Sequence, residues 1–217
     1  MRESDADRIA FFVSETADDM RVKKNRLVLA SQSPRRIGLL KQIGLEFDVI
    51  PSSIDESFDL SLTPEENARR LALDKATNVG AQIDEGIVIG ADTIVLLDDE
   101  LLAKPIDPKD AIGMLQKLSG RTHVVITGFA LLDRPSNRSV SDAEMTRVTF
   151  RSLSLEEIER YVAGGSPFDK AGGYGIQDDY GAVFVSRIEG CFYNVVGFPL
   201  SKFHETLGKF CALVQRN

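Results

Sequence analysis

The side chains best equipped for chemistry in this sequence are carboxylates and cations. Asp92 interrupts the most strand-like stretch of the chain, Ile87 to Leu97, which is otherwise apolar on both faces. A carboxylate in such a place is costly to desolvate unless it is paired, metal-bound or catalytic. An aspartate paired with a buried lysine fits the position as well as a catalytic one does. Glu56 closes a Ser/Asp-rich segment after an apolar run and, taken alone, reads as a solvated glutamate. Brought together, two carboxylates would bind a hard divalent cation, Mg²⁺ or Mn²⁺, and let it activate a water. The cations to set beside them are Arg35, Arg36, Lys75 and Lys104. A guanidinium forks onto phosphate oxygens, and lysines add point charge. Any one of the four could equally be an ordinary surface cation.

Arg35 and Arg36 follow Ser33-Pro34, where serine suits a helix N-cap and proline the first helical position. Cations oppose the helix dipole at that end, a mismatch that a bound anion would turn to use. Pro167 to Gln177 holds three glycines in four positions, a backbone able to approach a ligand closely, although a plain glycine-rich turn is the simpler reading. Gln177 carries the donor and acceptor needed to read a base edge. The chain has no Walker loop and no dinucleotide fingerprint. Neither histidine, His123 or His204, lies near a serine-rich site, so a nucleophilic triad is not indicated. Cys191 reads as a small packing residue.

Elements to position these groups can be read from the spacing. Leu27–Ala30 predicts a buried strand, followed by a helix from Pro34 that stops at Gly44. A second strand is expected over Glu46–Ser53. Thr63-Pro64-Glu65-Glu66 is a capping box opening a helix with Ala68, Leu71, Ala72, Lys75, Ala76 and Val79 along it. After the Asp92 strand, Asp107-Pro108 opens another helix. His123–Leu132 is a long strand, 133–142 a polar turn, and Glu144–Phe150 an antiparallel return. Ser154 and Glu157 form a second capping box, Ala182–Ile188 a strand and Pro199–Val214 a closing helix. Strands alternating with helices, plus a hairpin, give an α/β class with a mixed sheet. Residues 1–26 read as an N-terminal extension and 27–217 as the domain.

Composition narrows the function. Of 217 residues, 33 are acidic and 26 basic, a net charge of −7. That argues against duplex nucleic acid as partner but leaves room for a small anion held by a local basic cluster. Hydrophobic residues at 43% and charged residues at 27% suit a soluble globular protein. No run approaches the ~18 apolar residues of a membrane helix. Two cysteines and two histidines are too few for a disulfide framework or a His-rich metal cage. The acidic, mixed N-terminus is unlike a secretory signal, so a cytoplasmic location is expected.

The segments LASQSPRR (29–36), SIDE (53–56), RLALDKA (70–76), IGADTIV (89–95), AKP (103–105), SGRTHVVITG (119–128), DKAGGYGIQ (169–177) and NVVGFPL (194–200) together resemble the Maf family of nucleotide pyrophosphatases, in the family's order. The resemblance implies hydrolysis of a nucleoside triphosphate between its α- and β-phosphates, with a divalent cation. It implies an elongated mixed sheet flanked by helices, with a cleft between two lobes, similar to the inosine triphosphatase group. Asp92 matches the family's proton acceptor, and Ser33, Arg36, Lys75 and Lys104 match phosphate-cleft residues. Glu56 matches a cleft carboxylate, so that Glu56 and Asp92 become the metal candidates. Arg35, Thr93 and Gln177 match positions that distinguish substrate subgroups, and this combination resembles the subgroup acting on dTTP and UTP, with CTP and modified pyrimidine nucleotides left open as further substrates. Two rival expectations remain: 7-methyl-GTP or another modified nucleotide as substrate, and a non-catalytic nucleotide-binding regulator of cell division. Ala103 departs from the glycine many members carry, a methyl that could crowd the loop presenting Lys104. Family members are often dimers, which leaves a homodimer open.

Overall fold

The computed structural model describes residues 25–177 and 180–214. The expected extension, residues 1–26, therefore lies outside the described residues except for its last two. Arg26 holds Asp48 through two hydrogen bonds of 2.9 and 2.8 Å.

In chain order the elements are β1 (Leu27–Leu29), α1 (Pro34–Gln42), β2 (Asp48–Val49), α2 (Pro64–Gly80), β3 (Gly86–Leu97), β4 (Glu100–Leu101), α3 (Pro108–Leu118), β5 (Thr122–Arg134), β6 (Ser139–Phe150) and α4 (Leu155–Ala163). Short 3₁₀ turns cover Ser166–Asp169, Ala171–Gly173 and Tyr180–Phe184, before β7 (Val185–Glu189), α5 (Phe192–Val196) and α6 (Leu200–Val214). Among the described residues these strands form one seven-stranded mixed sheet, ordered β2-β1-β3-β5-β6-β7, with β4 paired to β3. β2, β1 and β3 run parallel; β3, β5, β6 and β7 are antiparallel.

β3 organises the molecule. β5 pairs with it along one edge from Gly86 to Leu96. On the other edge β1 pairs only with Ile87–Ile89, and β4 only with Leu96–Leu97. The last bond to the β1 side is Ala30 N–H to Ile89 O at 2.8 Å, and the next is Leu102 N–H to Val95 O at 2.8 Å. Between them the edge of β3 is open, and Asp92 and Thr93 fall in the gap. The apolar core divides at the same place. Ile87, Ile89 and Ala91 pack with α1 and α6 in one cluster, whereas Val95 and Leu97 pack with α3 and α4 in another. α2 covers the opposite face through Ala72, Ala76 and Val79.

The sequence overestimates or underestimates several elements, each for a local reason. β2 is two residues long because Pro51 has no N–H to continue the ladder. β6 begins at Ser139, inside the expected polar turn, because one face of an antiparallel strand tolerates polar residues. Tyr180–Phe184 is a 3₁₀ turn rather than strand, with Phe184 fully buried in the α3–α4 cluster. Ser154 caps α4, but Glu157 turns to Arg151 instead of closing the box. Thr63 and Glu66 do close theirs.

Candidate active site

Strand alternation sends neighbouring residues of β3 to opposite faces. Asp92 shares a face with Val88 and Gly90 and so looks toward α2; Thr93 looks toward α1 and α5. On the α2 side, Lys75 Nζ lies 2.6 Å from Asp92 Oδ1 and 2.8 Å from Glu56 Oε1. Lys75 and Asp92 are buried, and Glu56 is half exposed. The approach of α2 depends on two glycines: a Cβ at Gly90 would lie 2.0 Å from Ala72 O, and one at Gly128 2.2 Å from Ala68 O. The helix backbone thus rests directly on the sheet.

The loop bearing Glu56 is strapped to α2. Asn67 Oδ1 accepts from Asp59 N–H at 2.8 Å and its Nδ2 donates to Asp59 O at 2.7 Å. Arg70 donates to Ser57 O at 2.6 Å, and Ser53 N–H to Asn78 Oδ1 at 3.1 Å. Burial pushes the Glu56 carboxyl up, but the hydrogen bond to Lys75 and the charges of Lys75, Lys104 and Arg36 hold it below its ordinary value. The Glu56 carboxyl is thereby kept anionic.

On the other face Arg36 is clamped. Its Nε donates to Gly197 O at 3.0 Å, Nη1 to Ser31 Oγ at 3.3 Å and Nη2 to Thr93 Oγ1 at 3.0 Å. Burial lowers the guanidinium pKa, opposed by the charge of Asp92. A guanidinium has five N–H groups, so two remain for a ligand. Arg35 spans the mouth to Asp169, with bonds of 2.6 Å to Oδ2 and 3.1 Å to the carbonyl. Ser33 occupies the N-cap of α1, but its side chain makes no cap bond, which departs from the expected role. No acidic residue sits in that first turn.

All nine residues singled out in the sequence, Ser33, Arg35, Arg36, Glu56, Lys75, Asp92, Thr93, Lys104 and Gln177, line one cleft of about 720 Å³ at the gap in the sheet. Two of the three glycines of the glycine-rich turn serve packing, as in its simpler reading, while Gly175 lines the cleft. Gly172 and Gly173 have φ of 73° and 72°. Their missing side chains admit Val95 and Pro105, not a ligand. Gly172 N–H is shared by Leu102 O and Ala103 O, both 3.1 Å away, so this turn props the loop carrying exposed Lys104. Ala103 is itself exposed, which relieves the crowding expected of its methyl.

Sequence reasoning missed Thr127, Asn194 and Asp169 as parts of the site. All three lay inside the quoted segments, and for Thr127 a polar residue beside Gly128 in a buried strand was the available signal. His123 is not near the carboxylates; its Nε2 meets Tyr174 Oη at 2.6 Å in the core.

The donor set suits a hard cation. Two carboxylates held by one ammonium leave oxygens over, and Mg²⁺ is commonly bound by one or two carboxylates, waters and substrate phosphates. Among the described residues no group of three or more His, Cys, Asp or Glu forms a protein-only cage.

Fold and site define a class: a mixed α/β protein whose interrupted sheet carries a cleft with cations on both faces of one strand around a buried acid. The chain belongs to the Maf family, whose model (Maf-like protein) matches residues 26–210. The dTTP/UTP pyrophosphatase of Caldicellulosiruptor bescii is 48% identical over 188 residues, 85% of this chain and 94% of that one. That of Carboxydothermus hydrogenoformans is 47% identical over 84% of this chain and 97% of its own. That of Geotalea uraniireducens is 45% identical over 88% and 97%. The solved Staphylococcus aureus Ham1 protein is 14% identical over 58% of this chain and 71% of that one, with a TM-score of 0.42, too loose a likeness to bear on function. No helix among the described residues is long and apolar enough to cross a membrane.

Proposed function

We propose that this protein is a nucleoside triphosphate pyrophosphatase that hydrolyses dTTP and UTP to the monophosphate and pyrophosphate. The single observation that carries the reading is the convergence of Arg36, Lys75, Lys104, Glu56 and Asp92 on one cleft. The names of relatives at 45–48% identity agree with it.

The two free N–H groups of Arg36 and the Lys104 ammonium bind phosphate oxygens and offset the charge that develops on the leaving pyrophosphate. Ser33 and the first turn of α1 face the same oxygens. Asp92 has Oδ1 committed to Lys75 and offers Oδ2 to the attacking water. It takes the water's proton as the new oxygen–phosphorus bond forms at the α-phosphate and the bridging bond to the β-phosphate breaks. Lys75 holds Asp92 and Glu56 side by side. Glu56 and Asp92 are the residues that would hold Mg²⁺ or Mn²⁺, which when bound supplies positive charge at the phosphate oxygens. Arg35, Thr93 and Gln177, which line the same cleft, read the nucleoside.

The test is pyrophosphate release from a panel of dTTP, UTP, CTP, GTP and 7-methyl-GTP, with and without each cation. Fast release from dTTP and UTP is expected. Preferential release from 7-methyl-GTP, or no release from any of the panel, would overturn the reading.

A further inference from the structure

The Lys75 ammonium lies within hydrogen-bond distance of both candidate metal ligands, 2.6 Å from Asp92 Oδ1 and 2.8 Å from Glu56 Oε1. Its side chain is 7% exposed, so little water shares that contact. It reaches the pair from the buried face of α2, whose backbone rests on β3 at Gly90. Among the described residues, the charges of Lys104 and Arg36 also act on Glu56, and that of Arg36 on Asp92. Two carboxylates are therefore met by three of the protein's own cations.

That balance decides what a divalent cation meets here. Two bare carboxylates would draw it with two negative charges. With Lys75, Arg36 and Lys104 beside them, the sign of the cluster is reversed. Partial burial strengthens the repulsion, because salt and water screen it less there than at an open surface. Lys75 also occupies one oxygen of each carboxylate. Among the described residues no third His, Cys, Asp or Glu stands close enough to make up the loss. A triphosphate turns the balance back. It brings about four negative charges, and its oxygens are the ligands that Mg²⁺ takes beside one or two carboxylates.

We propose that Lys75 is a tethered cation that keeps Glu56 and Asp92 from binding a divalent metal ion by themselves, so that the ion is held only together with the polyphosphate of the nucleotide. The proposal rests on the reading of the cleft as a nucleoside triphosphate site, and it adds a coupling between the two ligands of that site. Linkage makes the coupling mutual: the ion raises the affinity for nucleotide by the factor by which nucleotide raises the affinity for the ion. The protein then keeps no resident metal centre. An ion that arrives with the triphosphate leaves with the pyrophosphate, and the carboxylates return to Lys75.

The experiment measures Mn²⁺ binding without nucleotide, by the loss of the free-ion electron paramagnetic resonance signal. The proteins are the wild type, Lys75→Met, Lys75→Arg and Lys75→Met combined with Glu56→Gln. Methionine keeps the buried stem and removes the charge. Lys75→Met is expected to bind Mn²⁺ at least about tenfold more tightly than the wild type, within the usual range of such couplings. Lys75→Arg should bind as weakly as the wild type, and Glu56→Gln should cancel the gain of Lys75→Met. A wild type or Lys75→Arg protein that binds Mn²⁺ as tightly as Lys75→Met, or a gain that survives Glu56→Gln, would overturn the proposal. Where Lys75→Met does not fold, the wild type decides. Its affinity for α,β-methylene dTTP, whose bridge resists hydrolysis, should rise by about tenfold or more when Mn²⁺ is added; equal affinity with and without Mn²⁺ would overturn the proposal. A wild type that neither binds this analogue nor releases pyrophosphate from dTTP or UTP would instead overturn the functional reading, whatever Lys75→Met does with Mn²⁺.

Discussion

Replacing Gly90 by alanine tests whether the seat of α2 sets both stability and chemistry. The new Cβ would lie 2.0 Å from Ala72 O and 2.9 Å from Ala76 N, whereas ordinary contact begins near 3.4 Å. The helix must therefore lift by about 1.4 Å at Ala72, since a backbone carbonyl cannot rotate away as a side chain can. Overpacking commonly costs about 1–3 kcal/mol, and a clash against backbone belongs at the upper end, near ~3 kcal/mol. For a chain of this size that lowers the melting temperature by roughly 6–12 °C. Lys75 lies between Ala72 and Ala76 on the lifted turn. A displacement of ~1 Å in a positioned group can cost about a hundredfold in rate. Thermal melting followed by circular dichroism reads the first effect, and pyrophosphate release at a temperature where the variant is folded reads the second. A melting temperature within about 2 °C of wild type would refute the packing argument. A large fall in stability with unchanged kcat would show that Lys75 does not depend on this seat.

Two other outcomes are expected. Asp92→Asn removes the proposed proton acceptor while keeping the shape, so turnover should fall by at least about a thousandfold with nucleotide affinity nearly retained; unchanged turnover in a folded Asp92→Asn protein rejects the proposed role. His123 is pushed down by burial to about 4 from an ordinary 6.5. The unfolded chain therefore binds more protons between those values, and stability is full above pH 6.5 and lost as pH falls toward 4. The loss is about 2 kcal/mol by pH 5, read as a drop in the urea midpoint that His123→Gln should largely abolish.

Much of the site was legible because its polar residues violate their surroundings. Asp92 stands out against an apolar strand, and Arg35 and Arg36 against a helix dipole. The helices of Pro34, Pro64 and Pro108 were legible for a related reason: proline at the first helical position behind a Ser, Thr or Asp leaves few alternatives. What could not be read is whatever depends on two distant segments touching. The strap of Asn67 and Arg70 on the Glu56 loop, the pairing of Arg35 with Asp169 and the Thr127–Asn194 chain join residues whose types are unremarkable in their own segments. The glycines of 172–173 were visible, but their target, Val95 and Pro105, required the fold.

The lapse of pairing between Ile89 and Val95 has a consequence for how such a protein can change over generations. Adjacent residues on this strand serve opposite walls, so under the proposed scheme the Asp92–Lys75 pair and the nucleoside-facing residues share a scaffold, with Arg36, held by Thr93, between them. Under that scheme, drift at Arg35 or Gln177 can retune which nucleotide is accepted while the Asp92–Lys75 pair stays intact. A lineage can thus shift its diet by small steps without passing through an inactive ancestor.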